Sequence, residues 1–197
     1  MTGAFWAGVI AGYGVAVPVG AIAVLIAGLS ARTSWRVGAA AGLGAAVADG
    51  GYALLAVLGG AALAAAITPI AGPLRWAAAA VLLLLAAHTA RSALAAPAAT
   101  RDPHQTTPAS AFLGVLGLTL LNPATVVYFA ALVLGRGGEG GGAWFVLGAF
   151  LASASWQLLV AASGALAGRL LTGPRARLLT ALGSSIVIAI LAVGLVW

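Results

Sequence analysis

Apolar residues run through this chain in long unbroken blocks, and short connectors hold nearly all of the charge. The blocks fall at about residues 4–29, 37–58, 74–94, 111–134, 143–166 and 178–197. Each is long enough for a helix to cross a hydrocarbon core, which takes about 20 residues. None alternates as a membrane-barrel strand does, and a lone segment in lipid satisfies its own backbone groups only as a helix. The pattern therefore predicts an all-α membrane protein of six transmembrane helices, with residues 1–197 forming one transmembrane domain. The first block lacks a basic leading segment and outruns a signal peptide's apolar stretch, so it reads as the first span.

The longest connector, AAPAATRDPHQTTPAS, separates two sets of three spans: a first half at 1–95, a linker at 96–110 and a second half at 111–197. Three spans reverse the side from which the chain re-enters, so the second half lies inverted relative to the first. Pro18 interrupts the first block and Pro123 the fourth. Asp49 lies 31 residues beyond Pro18. The same step from Pro123 reaches Ala154, among Ser153, Ser155, Trp156 and Gln157. Matched proline-interrupted helices in two halves point to the central site of a transporter. The expected architecture is a 3+3 inverted repeat whose helices 1 and 4 are broken at proline.

Composition excludes a soluble protein. The chain is 63% hydrophobic and 6% charged, where a soluble domain carries about 25% charged residues; its mean hydropathy is +1.14. The net charge of +6 comes from arginines at the connectors, so it speaks of orientation in a membrane and not of nucleic acid. Arg32, Arg36, Arg91, Arg101, Arg169, Arg175 and Arg177 share one side, and only Arg75 and Arg136 take the other. Positive residues stay inside, which predicts the cytoplasmic (inner) membrane with both termini outside. Cysteine is absent, and neither a metal-ligating cluster, a Ser–His–Asp set nor a Walker loop can be assembled. No enzyme activity, cofactor or metal is expected.

Asp49 is the one acid inside an apolar block; Asp102 and Glu139 lie in connectors. A carboxylate at membrane depth costs roughly 2.5–3.5 kcal/mol on insertion scales and marks a functional site unless it is locked in a structural pair. Pro18 with Gly20, and Asn122 with Pro123, would each free a backbone carbonyl and expose a half-helix end to a ligand. The plainer alternative for either proline is a packing kink. Tyr13, Tyr52, Tyr128, Trp156 and Gln157 are candidates for a central cavity, although packing explains each as well. The small-residue stripes Gly8, Gly12, Ala16, Gly20 and Gly38, Gly42, Ala46, Gly50 predict close helix contacts and fit spans 1 and 2 packed together. His88 and His104 are expected to be solvated and inert.

Pro-x-Gly in the first span, the glycine-rich second span with its acid (GLGAAVADGGYALLAVLG) and Asn–Pro in the fourth resemble the lysine exporter (LysE/RhtB) family of amino-acid efflux proteins. The resemblance covers the whole chain, with Ala21 standing where the family pattern has its later proline. It implies export of an amino acid or related small metabolite, driven by the proton motive force. Pro18, Gly20, Asp49, Asn122 and Pro123 are the positions that match. The residue reading adds Trp156 and Gln157 to the candidate site. The expected partners are an amino-acid substrate, protons as coupling ion, the lipid bilayer and, as an option, a second copy of the chain. Two other readings are an exporter of divalent or heavy-metal cations on the same scaffold and a membrane assembly protein. A metal site is poorly served by one membrane acid with no cysteine and no methionine beyond Met1.

Overall fold

The structure is a computed structural model that describes residues 2–17, 20–94, 106–122, 125, 128–129, 142–170 and 174–194. Pro18 and Pro123 lie outside the described residues, as do Arg101, His104 and Arg136. Among the described residues every regular element is helical and there is no strand. The elements are α1 (Thr2–Ala16), α2 (Ala21–Arg32), α3 (Trp35–Ile67), a 3-10 turn (Thr68–Ile70), α4 (Ala71–Leu94), α5 (Pro108–Leu120), α6 (Gly142–Leu170) and α7 (Pro174–Gly194).

Three stretches are long and apolar enough to cross a membrane: Trp35–Gly59, Thr68–Arg91 and Gly142–Leu170. A fourth is the pair α1 and α2, bent by 78° at its break. Two shorter apolar stretches, Pro108–Leu120 and Ala181–Gly194, fall in the two remaining blocks of the sequence; most of 121–134 lies outside the described residues.

Local chemistry explains the ends. Thr107 caps α5 by accepting the Ser110 amide at 3.1 Å, and Pro108 occupies the first turn, where an N–H has no partner to lose. At the other end of α2, both the amide and the hydroxyl of Thr33 donate to the Leu29 carbonyl and close the last turn. The α3 helix outruns its apolar block because the stretch after Leu58 is rich in alanine, the best helix former. Gly59 breaks it with a non-helical conformation (φ −167°, ψ 45°).

At the centre α3 packs on α6. Helices α1 and α2 both lie along α6, α5 lies along α3, and α4 pairs with α7. Glycines set the closest approaches. A methyl on Gly8 would strike the Phe145 carbonyl, and one on Gly12 would strike Ala149. Gly148 faces the Phe5 carbonyl and Val9 amide, and Gly44 faces the Phe112 carbonyl and Leu116 amide. The α1 stripe thus docks on α6, not on α3 as its spacing suggested. The first apolar block meets α3 instead through α2, where Gly38 accommodates Ser30. Spacing reveals that a face is small, and a small face fits any partner of matching shape.

Two apolar clusters flank the middle of α3. Val37, Ala41 and Ala45 pack with Ile26, Leu82, Leu118 and Ile188 on one side. Tyr52, Ala53 and Ala56 pack with Phe129, Phe145 and Ala149 on the other. Asp49 falls between them.

Candidate functional site: a cavity at two helix breaks

Asp49 and Ala45 sit one helical turn apart on α3 and face α6, where Ser153 and Gln157 are likewise one turn apart. Asp49 is 3% exposed, and its Oδ2 accepts a 2.6 Å hydrogen bond from the Ser153 hydroxyl. That length is typical of a hydroxyl donating to a carboxylate. No other described residue hydrogen-bonds the carboxylate, and Arg75 is exposed at the start of α4.

The carboxylate borders a cavity of about 190 Å³. One wall is the break between α1 and α2, with Val15 and Ala16 on one side and Gly20, Ala21, Ile22 and Ala23 on the other. The end of α5 forms a second wall through Leu118, Thr119, Asn122 and Thr125. Gln157 comes from α6, Ala78 and Leu82 from α4, and Leu191 from α7. Each residue type suits its place. Gly20 is the N-cap of α2 in extended backbone, and it offers no side chain to cap the first amides. Those amides carry the positive end of the helix dipole. Gly42 lets the Gln157 side chain approach α3. Gln157 is 6% exposed, and its Oε1 has no hydrogen-bond partner.

Of the sequence candidates, Gly20, Asp49, Asn122 and Gln157 converge on this cavity. Trp156 does not line it; the ring is half-buried, and its Nε1 has no hydrogen-bond partner. The tyrosines serve packing. Tyr52 donates to the Leu120 carbonyl and pins α3 to the end of α5. Tyr13 and Ser155 share a 2.8 Å hydrogen bond, and the Tyr128 hydroxyl lies against Gly14. His88 is exposed.

Sequence reasoning passed over Thr119 and Thr125, both buried in the cavity wall. Their signal is the three-residue spacing Thr119, Asn122, Thr125, a polar stripe through an apolar block. Thr119 already donates to the Val115 carbonyl at 2.8 Å, so its hydroxyl oxygen keeps acceptor capacity. The lining combines one acid, an unpaired amide oxygen and helix ends of both polarities, with no basic residue among the described ones. Such a set has the chemistry to hold and orient a small polar molecule.

The LysE type translocator family model matches residues 13–197. Searches of curated proteins and of solved structures each returned no match. The matched stretch takes in both helix breaks, Asp49 and every wall of the cavity. It describes a family of membrane-embedded transporters, not of enzymes. With the match running almost from end to end, on a helical chain built of membrane-length apolar segments, the chain belongs to the LysE type translocator family.

Proposed function

We propose that the chain exports amino acids or related small metabolites across the cytoplasmic membrane by proton-coupled alternating access. The observation that carries this reading is Asp49, an acid at the middle of a span, bordering a cavity where two helices are interrupted. A carboxylate there can pair with a substrate ammonium in one state and take a proton in the other. Ser153 supplies one neutral donor and no counter-charge, so the carboxylate is held but free to exchange partners.

The packing supports a six-span 3+3 inverted repeat. Exchanging the halves turns the α1–α6 contact into the α5–α3 contact and maps the α3–α6 and α4–α7 pairs onto themselves. The two glycine contacts follow suit, since Gly148 and Gly44 each meet a carbonyl and the amide four residues on. Asp49 and Ser153 meet close to where such a two-fold axis would pass, which agrees with the matched spacing from Pro18 and Pro123. Rocking one half against the other around that crossing would open the cavity to each side in turn. The arginine-rich connectors then face the cytoplasm, with both termini outside.

The test is efflux from cells loaded with amino acids through dipeptides. Expression should relieve growth inhibition and raise extracellular amino acid, and collapsing the proton gradient should stop it. Efflux that survives an uncoupler rejects proton coupling. Unchanged efflux in Asp49→Asn, at equal membrane abundance, rejects the assigned role.

A further inference from the structure

We propose that the cavity takes a small α-amino acid with an uncharged side chain, its carboxylate at the N-terminus of α2 and its ammonium between Asp49 and Gln157. This rests on the export reading above and names the substrate class of the same site.

The cavity is polar in one direction. Its donor-rich corner is the start of α2, where Gly20 and Ala21 leave the uncapped amides open to the cavity. The opposite polarity surrounds the rest. The C-terminal ends of α1 and α5, through Ala16 and Thr119, turn carbonyl-rich helix ends toward the same space. Asp49 adds a charge and Gln157 an oxygen that no described group satisfies. An unsatisfied acceptor on a side chain 6% exposed is costly unless a donor arrives. An ammonium, with three N–H groups, can serve both oxygens at once. For a carboxylate, the start of α2 is the place in the lining where a helix dipole adds positive potential to its N–H donors. A zwitterion therefore fits in one orientation, and a simple amine or simple acid uses half of the site.

Apart from the neutral polar stripe Thr119, Asn122 and Thr125, what remains is apolar. Leu82 from α4, Leu118 from α5 and Leu191 from α7 close the far side, and no charged residue joins them among the described lining. A second ammonium on the substrate would find only neutral acceptors and no second acid among the described lining, and a second carboxylate would add to the charge of Asp49. Size narrows the class further. A cavity of about 150 Å³ holds benzene, so 190 Å³ has room for about eight non-hydrogen atoms, the size of valine.

The experiment is equilibrium binding of radiolabelled L-valine to the purified full-length protein in lipid nanodiscs, with unlabelled competitors. L-valine should compete at least tenfold better than isovalerate, which lacks the ammonium, and valinamide, which lacks the carboxylate. L-lysine and L-glutamate should compete at least tenfold less well than L-valine. Gln157→Leu should weaken L-valine at least fivefold and leave isovalerate unchanged. Lysine or glutamate within threefold of valine overturns the substrate class, and either truncated analogue matching valine overturns the orientation. Gln157→Leu binding valine like the parent overturns the ammonium seat. In all three cases export itself stands if reconstituted vesicles still move amino acids in an Asp49-dependent way. Vesicles that move no amino acid of any class remove both readings.

Discussion

Helices α3 and α6 pack against each other and take flanking helices against glycines in a similar way, but they bring different chemistry to the place where they meet. Each presents a glycine to a flanking helix, Gly44 on α3 to α5 and Gly148 on α6 to α1, and Gly42 on α3 faces Gln157 of α6. Where they meet, α3 brings Asp49 and α6 brings Ser153. Two acids at that point would repel at close range, and an arginine opposite Asp49 would lock it in a buried ion pair that is hard to open. A hydroxyl does neither. It fixes one carboxylate oxygen by a bond that folding stability can afford to lose and reform. A neutral partner thus preserves packing and still orients the acid.

The largest effect should come from removing the asymmetry. Asp49→Asn keeps the size of the side chain and discards its charge; efflux should fall at least about 10-fold, equivalent to about 1.4 kcal/mol, with membrane abundance unchanged on immunoblots. Next come the shape-matched glycines. Gly44→Val and Gly148→Val each force a side chain into a neighbouring backbone, and overpacking of this kind costs about 1–3 kcal/mol. Both should lower the thermal midpoint in detergent by similar amounts, whereas Gly114→Ala, with nothing within 4 Å of the added methyl, should leave it in place. Unequal losses at Gly44 and Gly148 would count against the two-fold relation.

Ser153→Ala deletes the hydroxyl and leaves the acid. The acid keeps its charge and loses only the bond that orients it, so transport should drop severalfold without vanishing, and Ser153→Thr should recover most of it. Wild-type transport in Ser153→Ala would show that α6 does not orient the acid. Tyr52→Phe should have the smallest effect. It removes the bond to the Leu120 carbonyl, worth about 0.5–1.5 kcal/mol, and a small drop in thermal midpoint with near-normal efflux is the expected result.

Much of the fold was readable in advance. Each apolar block contains described helix, although α3 runs on past the block that predicted it, and the acid stood out because so few charges surround it. The polar patch at Ser153–Gln157 was visible as well, through its matched distance from Pro123. Partner choice was not visible. The Gly8 and Gly12 stripe was expected on span 2, and it lies on α6. Trp156 and Gln157 are neighbours in sequence, yet only Gln157 reaches the cavity, since adjacent helical residues point about 100° apart.

Hydrophobicity and charge along the chain suffice to place it in a membrane, to make it helical and to single out Asp49, because the cost of burying polar groups in lipid acts on each segment separately. That Ser153 meets Asp49, that α2 aims its amides at the same cavity and that three leucines from three helices close it depend on how helices rotate and slide against one another. Those rotations are set by the fit of whole surfaces, contributed by residues more than a hundred positions apart, and no local pattern encodes them.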